Sequence, residues 1–225
     1  MELIKNNKIK ELSIQATKKF FEEINQKTTE TFIALSPGSS TYSFLETIIE
    51  HCDKLPQQKW DLLKFCLADE REVQITSNDS NYKQLKETFF NFLIAKGKIK
   101  ESQIIKYDLT EKNPLISYNV KVRKIDIAIL GVGPDGHTAS LFPGHESIND
   151  LRNEYIKITN SPKSPSNRIT MTRTMIKNST VFIFFISESK RKAYQNFLDE
   201  NIGENKCPAK ITKKAKQLYV ITNLE

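Results

Sequence analysis

The sequence predicts an α/β protein: a Rossmann-like, mostly parallel sheet with helices on both faces, built by residues 1–225 as a single domain. Two observations carry that prediction. Short apolar runs alternate with longer segments of helical period, in the strand, turn, helix, strand order of a parallel sheet. No internal repeat and no Gly/Ser-rich or Pro-rich linker divides the chain.

The elements follow in order. Leu12, Ala16, Phe20 and Ile24 recur at every fourth position, which predicts a helix over 9–26. Thr31–Leu35 reads as a short buried strand, halted by Ser36-Pro37-Gly38-Ser39-Ser40, with a second helix over 41–52. Leu63–Ala68 is a strand that ends at Asp69-Glu70-Arg71, and a helix over 78–96 follows. Lys124–Leu130 is the clearest strand and runs into Gly131-Val132-Gly133-Pro134-Asp135-Gly136. Glu154–Thr159 and Val181–Ile186 read as further buried strands, then a helix over 188–200 and a last strand, Gln217–Thr222. Ligands of such sheets bind beyond the carboxyl ends of the strands, and the unusual residues of this chain all fall there.

Composition narrows the function classes. The chain has 34 Lys+Arg against 27 Asp+Glu, a formal charge of +7, which suits nucleic acid or an anionic small molecule. The lysines are scattered, and the densest run, Lys210-Ile211-Thr212-Lys213-Lys214-Ala215-Lys216, reads as a solvated face, so no nucleic-acid partner is expected. The longest apolar stretches, Ile125–Val132 and Val181–Ile186, are far shorter than the roughly 20 residues of a membrane span, and Met1–Asn7 holds no apolar signal core. Cys52, Cys66 and Cys207 are odd in number and widely spaced, with no histidine at zinc-ligand spacing from a cysteine pair. Neither a disulfide framework nor a metal site is expected, and the expected compartment is the cytoplasm. Nothing in the pattern fixes an oligomeric state; a monomer is compatible with it.

Three strand ends carry candidate chemistry. The Ser36–Ser40 turn offers hydroxyls and backbone N–H groups at a helix start, an arrangement suited equally to phosphate or to ordinary capping. Asp69-Glu70-Arg71 places three charges at the end of a buried strand. Gly131–Gly136 formally matches the dinucleotide fingerprint Gly-x-Gly-x-x-Gly. Pro134 removes one phosphate-facing N–H, however, and the acid that would hold a ribose at the end of the next strand is missing. The stretch reads instead as a tight loop that lets the backbone approach a small ligand and presents Asp135 and His137 at its rim. His137 is the candidate proton carrier, with Asp135 placed to fix its tautomer. His51 sits late in a helix, where it complements the dipole, and His145 follows a Pro-Gly turn and is expected to face solvent.

Residues 127–144, Ile-Ala-Ile-Leu-Gly-Val-Gly-Pro-Asp-Gly-His-Thr-Ala-Ser-Leu-Phe-Pro-Gly, closely resemble the signature of the 6-phosphogluconolactonases, and further segments resemble that family in the same order. These are Ala34–Ser40, Trp60 with Asp69–Val73 and Ser77–Tyr82, Ser161–Thr170, and Ser187–Lys190. Three positions depart from the pattern: Pro37 replaces the first glycine of the phosphate loop, Ser40-Thr41 replaces Thr-Pro, and Ser187 replaces glycine. In the related glucosamine-6-phosphate deaminases a Glu follows the histidine by five positions; here that residue is Phe142. The resemblance implies the fold of the sugar-phosphate isomerase/deaminase superfamily and hydrolysis of 6-phospho-D-glucono-1,5-lactone, the second step of the oxidative pentose phosphate pathway. It implies His137 as general base, Asp135 as its support and Arg71 as the group meeting charge on the carbonyl oxygen. Ser36, Gly38, Ser39 and Ser40 would hold the phosphate, with Lys190 and Arg168 as counter-charges. No cofactor or metal is implied.

Overall fold

Strands buried on both faces read as unbroken apolar runs, because every side chain meets protein. Four such runs form the interior of the main sheet in a computed structural model, which describes residues 1–225. They are β2 (Thr31–Leu35), β5 (Ile127–Gly131), β8 (Thr180–Phe185) and β9 (Gln217–Thr222), flanked at the edges by β1 (Glu2–Lys5) and β3 (Leu63–Leu67). The order is β1-β9-β8-β5-β2-β3, and every neighbouring pair is parallel.

Alternate residues along each strand feed two separate cores. Phe32, Ala34, Ala128, Leu130, Val181 and Ile183 pack on one face, with Tyr118, Ile176 and Phe197 from the helices Pro114–Lys121, Arg173–Lys177 and Arg191–Leu198. Ile33, Leu35, Ile127, Ile129, Phe182 and Phe184 pack on the other, against α1 (Ile9–Asn25), α2 (Tyr42–Glu50) and a helical run over 81–95. The face of α1 that meets the sheet is the predicted one: Leu12, Ala16, Phe20 and Ile24 are all buried. Helices on both faces of a parallel sheet are thus what the chain forms. No helix is long and apolar enough to cross a membrane.

The differences from the sequence reading have physical causes. The edge strand β1 was not predicted, since only Ile4 of its four residues is buried and its ends are Glu2 and Lys5, charges that suit an edge. Asp69–Arg71 is not merely a strand end but a strand of its own, β4, and the predicted strand 154–159 shortens to β6 (Ile156–Ile158). With β7 (Arg168–Thr170) these form a second, antiparallel sheet in the order β4-β7-β6, so 154–159 does not belong to the parallel sheet. The 81–95 helix contains a π turn, Lys86–Phe90, and starts at Ser80, whose Oγ accepts from Lys83 N–H. The lysine run 210–216 is not one solvated face. Lys210 is buried with its ammonium on the Asp199 carbonyl, Lys213 lies 4.8 Å above the Phe197 ring, and Lys214 pairs with Glu204 at 2.7 Å.

The small sheet hangs from the large one at Ala68, whose N–H donates to Leu35 and whose carbonyl accepts from Met171. This joint brings Asp69, Arg71 and Arg168 over the carboxyl ends of β2, β5 and β8.

Candidate active site

A cleft of about 320 Å³ opens at those strand ends, and every sequence-predicted site residue except Asp135 lines it, with Asp69, Gly133 and Lys163. The contributing segments are the turn after β2, β4, the start of the 81–95 helix, the loop after β5, the loop between β6 and β7, the first residue of β7, and the turn after β8.

The loop after β5 is a closed turn. Gly133 N–H donates to the His137 carbonyl and Gly136 N–H to the Gly133 carbonyl, both at 2.9 Å. Gly136 has φ +86°, a left-handed conformation, and its missing side chain leaves room for Cys207. The turn places His137 Nδ1 at 2.5 Å from Asp135 Oδ1. Asp135 itself is exposed and lies outside the cleft lining, meeting it through His137. Partial burial pulls its carboxyl toward neutrality, but the hydrogen bond and charge of His137, with Lys163 beyond, outweigh it and hold the group well below the usual carboxylate range. A carboxylate at Nδ1 fixes the proton there and leaves Nε2, which has no partner in the protein, as the basic atom. One ring face of His137 lies against Phe142, with centroids 4.8 Å apart. The sequence reading assigned the glycines here to close approach by a ligand. At Gly133 the close approach is instead made by His137, since a Cβ would lie 2.0 Å from the imidazole.

At the opposite end, Thr41 Oγ1 donates to the carbonyls of Ser36 and Gly38, which closes the turn before α2. Gly38, at φ +149°, turns the chain there. The N–H groups of Gly38, Ser39 and Ser40 have no acceptor within the protein, and the buried Ser36 Oγ has no partner. Unpaired donors at a helix start make an anion site. Lys190 is half-buried beside it and makes no ion pair; burial, then the nearby charge of Lys163, pushes its ammonium below the usual lysine range. Ser187, which precedes this turn, has φ +82°, a conformation that favours glycine.

Arg71 and Arg168 come from adjacent antiparallel strands, Arg71 pairing with Arg168 in the β4–β7 register. Arg71 donates through Nη1 to the Asp79 carbonyl at 2.6 Å, and its buried Nε has no partner. Arg168 is differently engaged. Nε donates to the Pro165 carbonyl at 2.9 Å, and Nη2 to those of Lys163 and Ser164 at 3.0 and 3.2 Å. Nη1 reaches Ser140 Oγ at 3.4 Å and stands 3.9 Å from Asp69. The sequence reading made Arg168 a phosphate counter-charge; its contacts are chiefly those of a brace for its own loop, with Nη1 alone turned to the cleft side.

Sequence reasoning named Asp69 only as one of three charges at a strand end and gave Lys163 no role. Asp69 accepts from Ser140 Oγ at 2.6 Å and from the Asn81 amide, tying β4 to the segment after His137. Its neighbour Glu70 is structural: buried, it accepts the N–H groups of Arg71, Asn81 and Tyr82 at 2.7–2.8 Å and the Ser80 hydroxyl at 3.0 Å. Burial pushes its carboxyl up despite those bonds. Glu70→Ala should therefore lower the free energy of unfolding by about 3 kcal/mol, since several buried donors lose their acceptor. A denaturant titration showing a loss under about 1 kcal/mol would contradict this role. The other histidines stand apart: His51 Nδ1 contacts the Thr47 carbonyl, and His145, expected in solvent, is held between Ser147 Oγ at 2.8 Å and Asn160 Oδ1 at 2.7 Å.

The pattern of a family described as glucosamine-6-phosphate isomerases/6-phosphogluconolactonase matches residues 7–220. A protein of Borreliella burgdorferi named 6-phosphogluconolactonase is 31% identical over 218 residues, covering 92% of this chain and 91% of that protein. 6-Phosphogluconolactonase 4 of Saccharomyces cerevisiae is 30% identical over 175 residues, covering 72% and 69%. Among solved structures, 6-phosphogluconolactonase from Thermotoga maritima superposes with a TM-score of 0.79 at 23% identity, covering 99% of this chain and 98% of that one. A monomeric glucosamine-6-phosphate deaminase superposes with a TM-score of 0.76 at 18% identity, covering 99% and 97%. At such identities both structures speak for the fold alone.

Proposed function

The chain belongs to the glucosamine-6-phosphate isomerase/6-phosphogluconolactonase family, and from that premise we propose that it hydrolyses 6-phospho-D-glucono-1,5-lactone to 6-phospho-D-gluconate, with residues 1–225 as one catalytic unit. The observation that carries this reading is the His137–Asp135 pair at 2.5 Å, with Nε2 unpaired within the protein, on a cleft that also holds the free N–H groups of Gly38, Ser39 and Ser40. His137 Nε2 takes a proton from water as the water oxygen bonds to the lactone carbonyl carbon. The same nitrogen returns the proton to the ring oxygen as the C–O bond breaks, so atoms and charge balance without a nucleophilic side chain. Asp135 supports the imidazolium between the two transfers. Arg71, with donors left over from its bond to Asp79, meets the charge on the carbonyl oxygen. Phe142 stands where a deaminase would carry a glutamate, so a ring-opening relay lacks its carboxylate. The buried, unpaired thiols of Cys52, Cys66 and Cys207 are in keeping with a reducing compartment such as the cytoplasm.

The test is a coupled assay with freshly generated lactone, corrected for its spontaneous opening. Saturable turnover proportional to protein is expected; a rate equal to the background overturns the reading. Phosphate recognition is assigned to Gly38, Ser39, Ser40 and Lys190, with the Ser36 hydroxyl. Lys190→Ala should raise KM roughly tenfold, because a charge-assisted hydrogen bond contributes about 1.5–3 kcal/mol, and should erase the preference for the phosphorylated over the plain lactone. An unchanged ratio of kcat/KM between the two lactones would move the phosphate elsewhere.

A further inference from the structure

Lys163 has no part in the mechanism above, yet it touches both members of the catalytic pair. Its Nζ stands 3.3 Å from Asp135 Oδ2 and 3.3 Å from His137 Nδ1, while Oδ1 of the same carboxylate takes the imidazole. It arrives from the loop between β6 and β7, 26 residues away in sequence. Arg168, only 4% exposed, binds the carbonyls of residues 163, 164 and 165 in succession, and Ser161 Oγ adds bonds to the Lys163 N–H and carbonyl. The guanidinium also lies 5.4 Å from the Phe142 ring centre, and Phe142 is the ring that backs His137. One buried arginine therefore sets both the wall behind the imidazole and the ammonium beside it.

We propose that Lys163 is a positioning residue of the His137–Asp135 pair, pairing with the carboxylate at its free oxygen and opposing positive charge on the imidazole, with Arg168 as the brace that sets it there. The physical argument is charge balance. An imidazole hydrogen-bonded to a lone carboxylate is drawn toward the imidazolium, which is the wrong form for a base. An ammonium on the second oxygen offsets that carboxylate and repels a second positive charge at Nδ1. With the Nδ1 proton donated to Asp135, Nδ1 has no lone pair left to accept from Lys163, so the ammonium acts on the ring as a charge and its partner is the carboxylate. The other charges facing the pair are Lys190 from the turn after β8, and Arg71, Arg168 and Asp69 from the small sheet. Of the cations, Lys163 alone is within ion-pair distance of Asp135.

The inference rests on His137 being the base, so the test reads the imidazole without turnover as well as with it. The His137 Cε1–H resonance would be followed by NMR against pH in the substrate-free protein, in wild type, Lys163→Met and Lys163→Arg. Three histidines make the assignment simple, with His137→Ala identifying the signal. The midpoint should rise by about half a unit to one unit in Lys163→Met, a partly screened single charge, and return most of the way in Lys163→Arg. His51 and His145 should not move. The acid limb of kcat/KM should shift in parallel, with the preference between phosphorylated and plain lactone retained. An unmoved His137 midpoint would overturn the proposal, and so would a collapse of that preference, which would make Lys163 a substrate ligand instead. The NMR shift without lactone turnover by wild type would uphold it while removing the lactonase reading.

Discussion

His137→Ala should lower kcat by about 10²–10⁴-fold while leaving the fold intact, the largest effect expected from any single substitution here. The side chain is turned toward the cleft rim, and its partners are the Asp135 carboxylate, the Lys163 ammonium and one face of Phe142. In the proposed mechanism its removal takes away the group that accepts the proton from water and returns it to the ring oxygen. What survives is binding and the charge of Arg71 and Lys190, so a residual rate above the uncatalysed one is expected. His51→Ala and His145→Ala are the controls. His51 meets a helix carbonyl and His145 is tied to Ser147 and Asn160, both outside the cleft. Their activity should stay near wild type. Comparable kcat in all three variants, measured with thermal melts to check folding, would remove the general-base assignment.

Gly133→Ala should be nearly as damaging, about 10²-fold or more in kcat, although it adds a single methyl group. A Cβ at this position would lie 2.0 Å from His137 Nδ1 and Cε1 and 2.7 Å from Asp135 Oδ1. The imidazole must swing away, which breaks the Asp135 contact and misdirects Nε2. A misplacement of about 1 Å can cost on the order of 10²-fold. The backbone of Gly133 lies outside the left-handed region, so the substitution does not strain the chain itself. Stability should change little, which separates this loss from unfolding. Gly203→Ala, where the added carbon meets nothing within 4 Å, is the matched control and should behave as wild type. Full activity in Gly133→Ala would mean that the observed imidazole orientation is not the working one.

The interior of the main sheet was largely legible in the sequence, although β5 begins three residues later and ends one later than the predicted 124–130. β2 and β9 coincide with their predicted limits, and β8 differs by one position at each end, because burial on both faces leaves unbroken apolar runs. The small sheet was not legible. Three-residue strands such as Arg168–Thr170 carry no periodicity to read, and their link to the main sheet depends on a one-residue bend at Ala68. The site divides in the same way. Asp135 and His137 are two residues apart in one turn, so their partnership could be read directly. The grip of Arg168 on three carbonyls, and the contact of Lys163 with a pair 26 positions away, arise only when the loop closes. The match of Arg168 to the family pattern gave its presence but not its work.

The pairing of β1 with β9 bears on how the protein reaches this state. Glu2 lies beside Tyr219 and Lys5 beside Thr222, so the chain's first strand stays without a neighbour until its ninth is in place. At the centre of the sheet β5 pairs with β2 and β8, neither of them its neighbour in the order of strands along the chain. Non-local parallel pairing closes large loops before contacts reward them, which slows folding and prolongs the exposure of apolar edges. The cleft draws on the ends of β2, β5 and β8 and on the small sheet, so no early hairpin or isolated half-chain can assemble it. Regain of activity after denaturation is therefore tied to the slow ordering of the sheet, and the half-formed molecule, with the runs of β8 and β9 uncovered, is the species most exposed to aggregation and most dependent on chaperones.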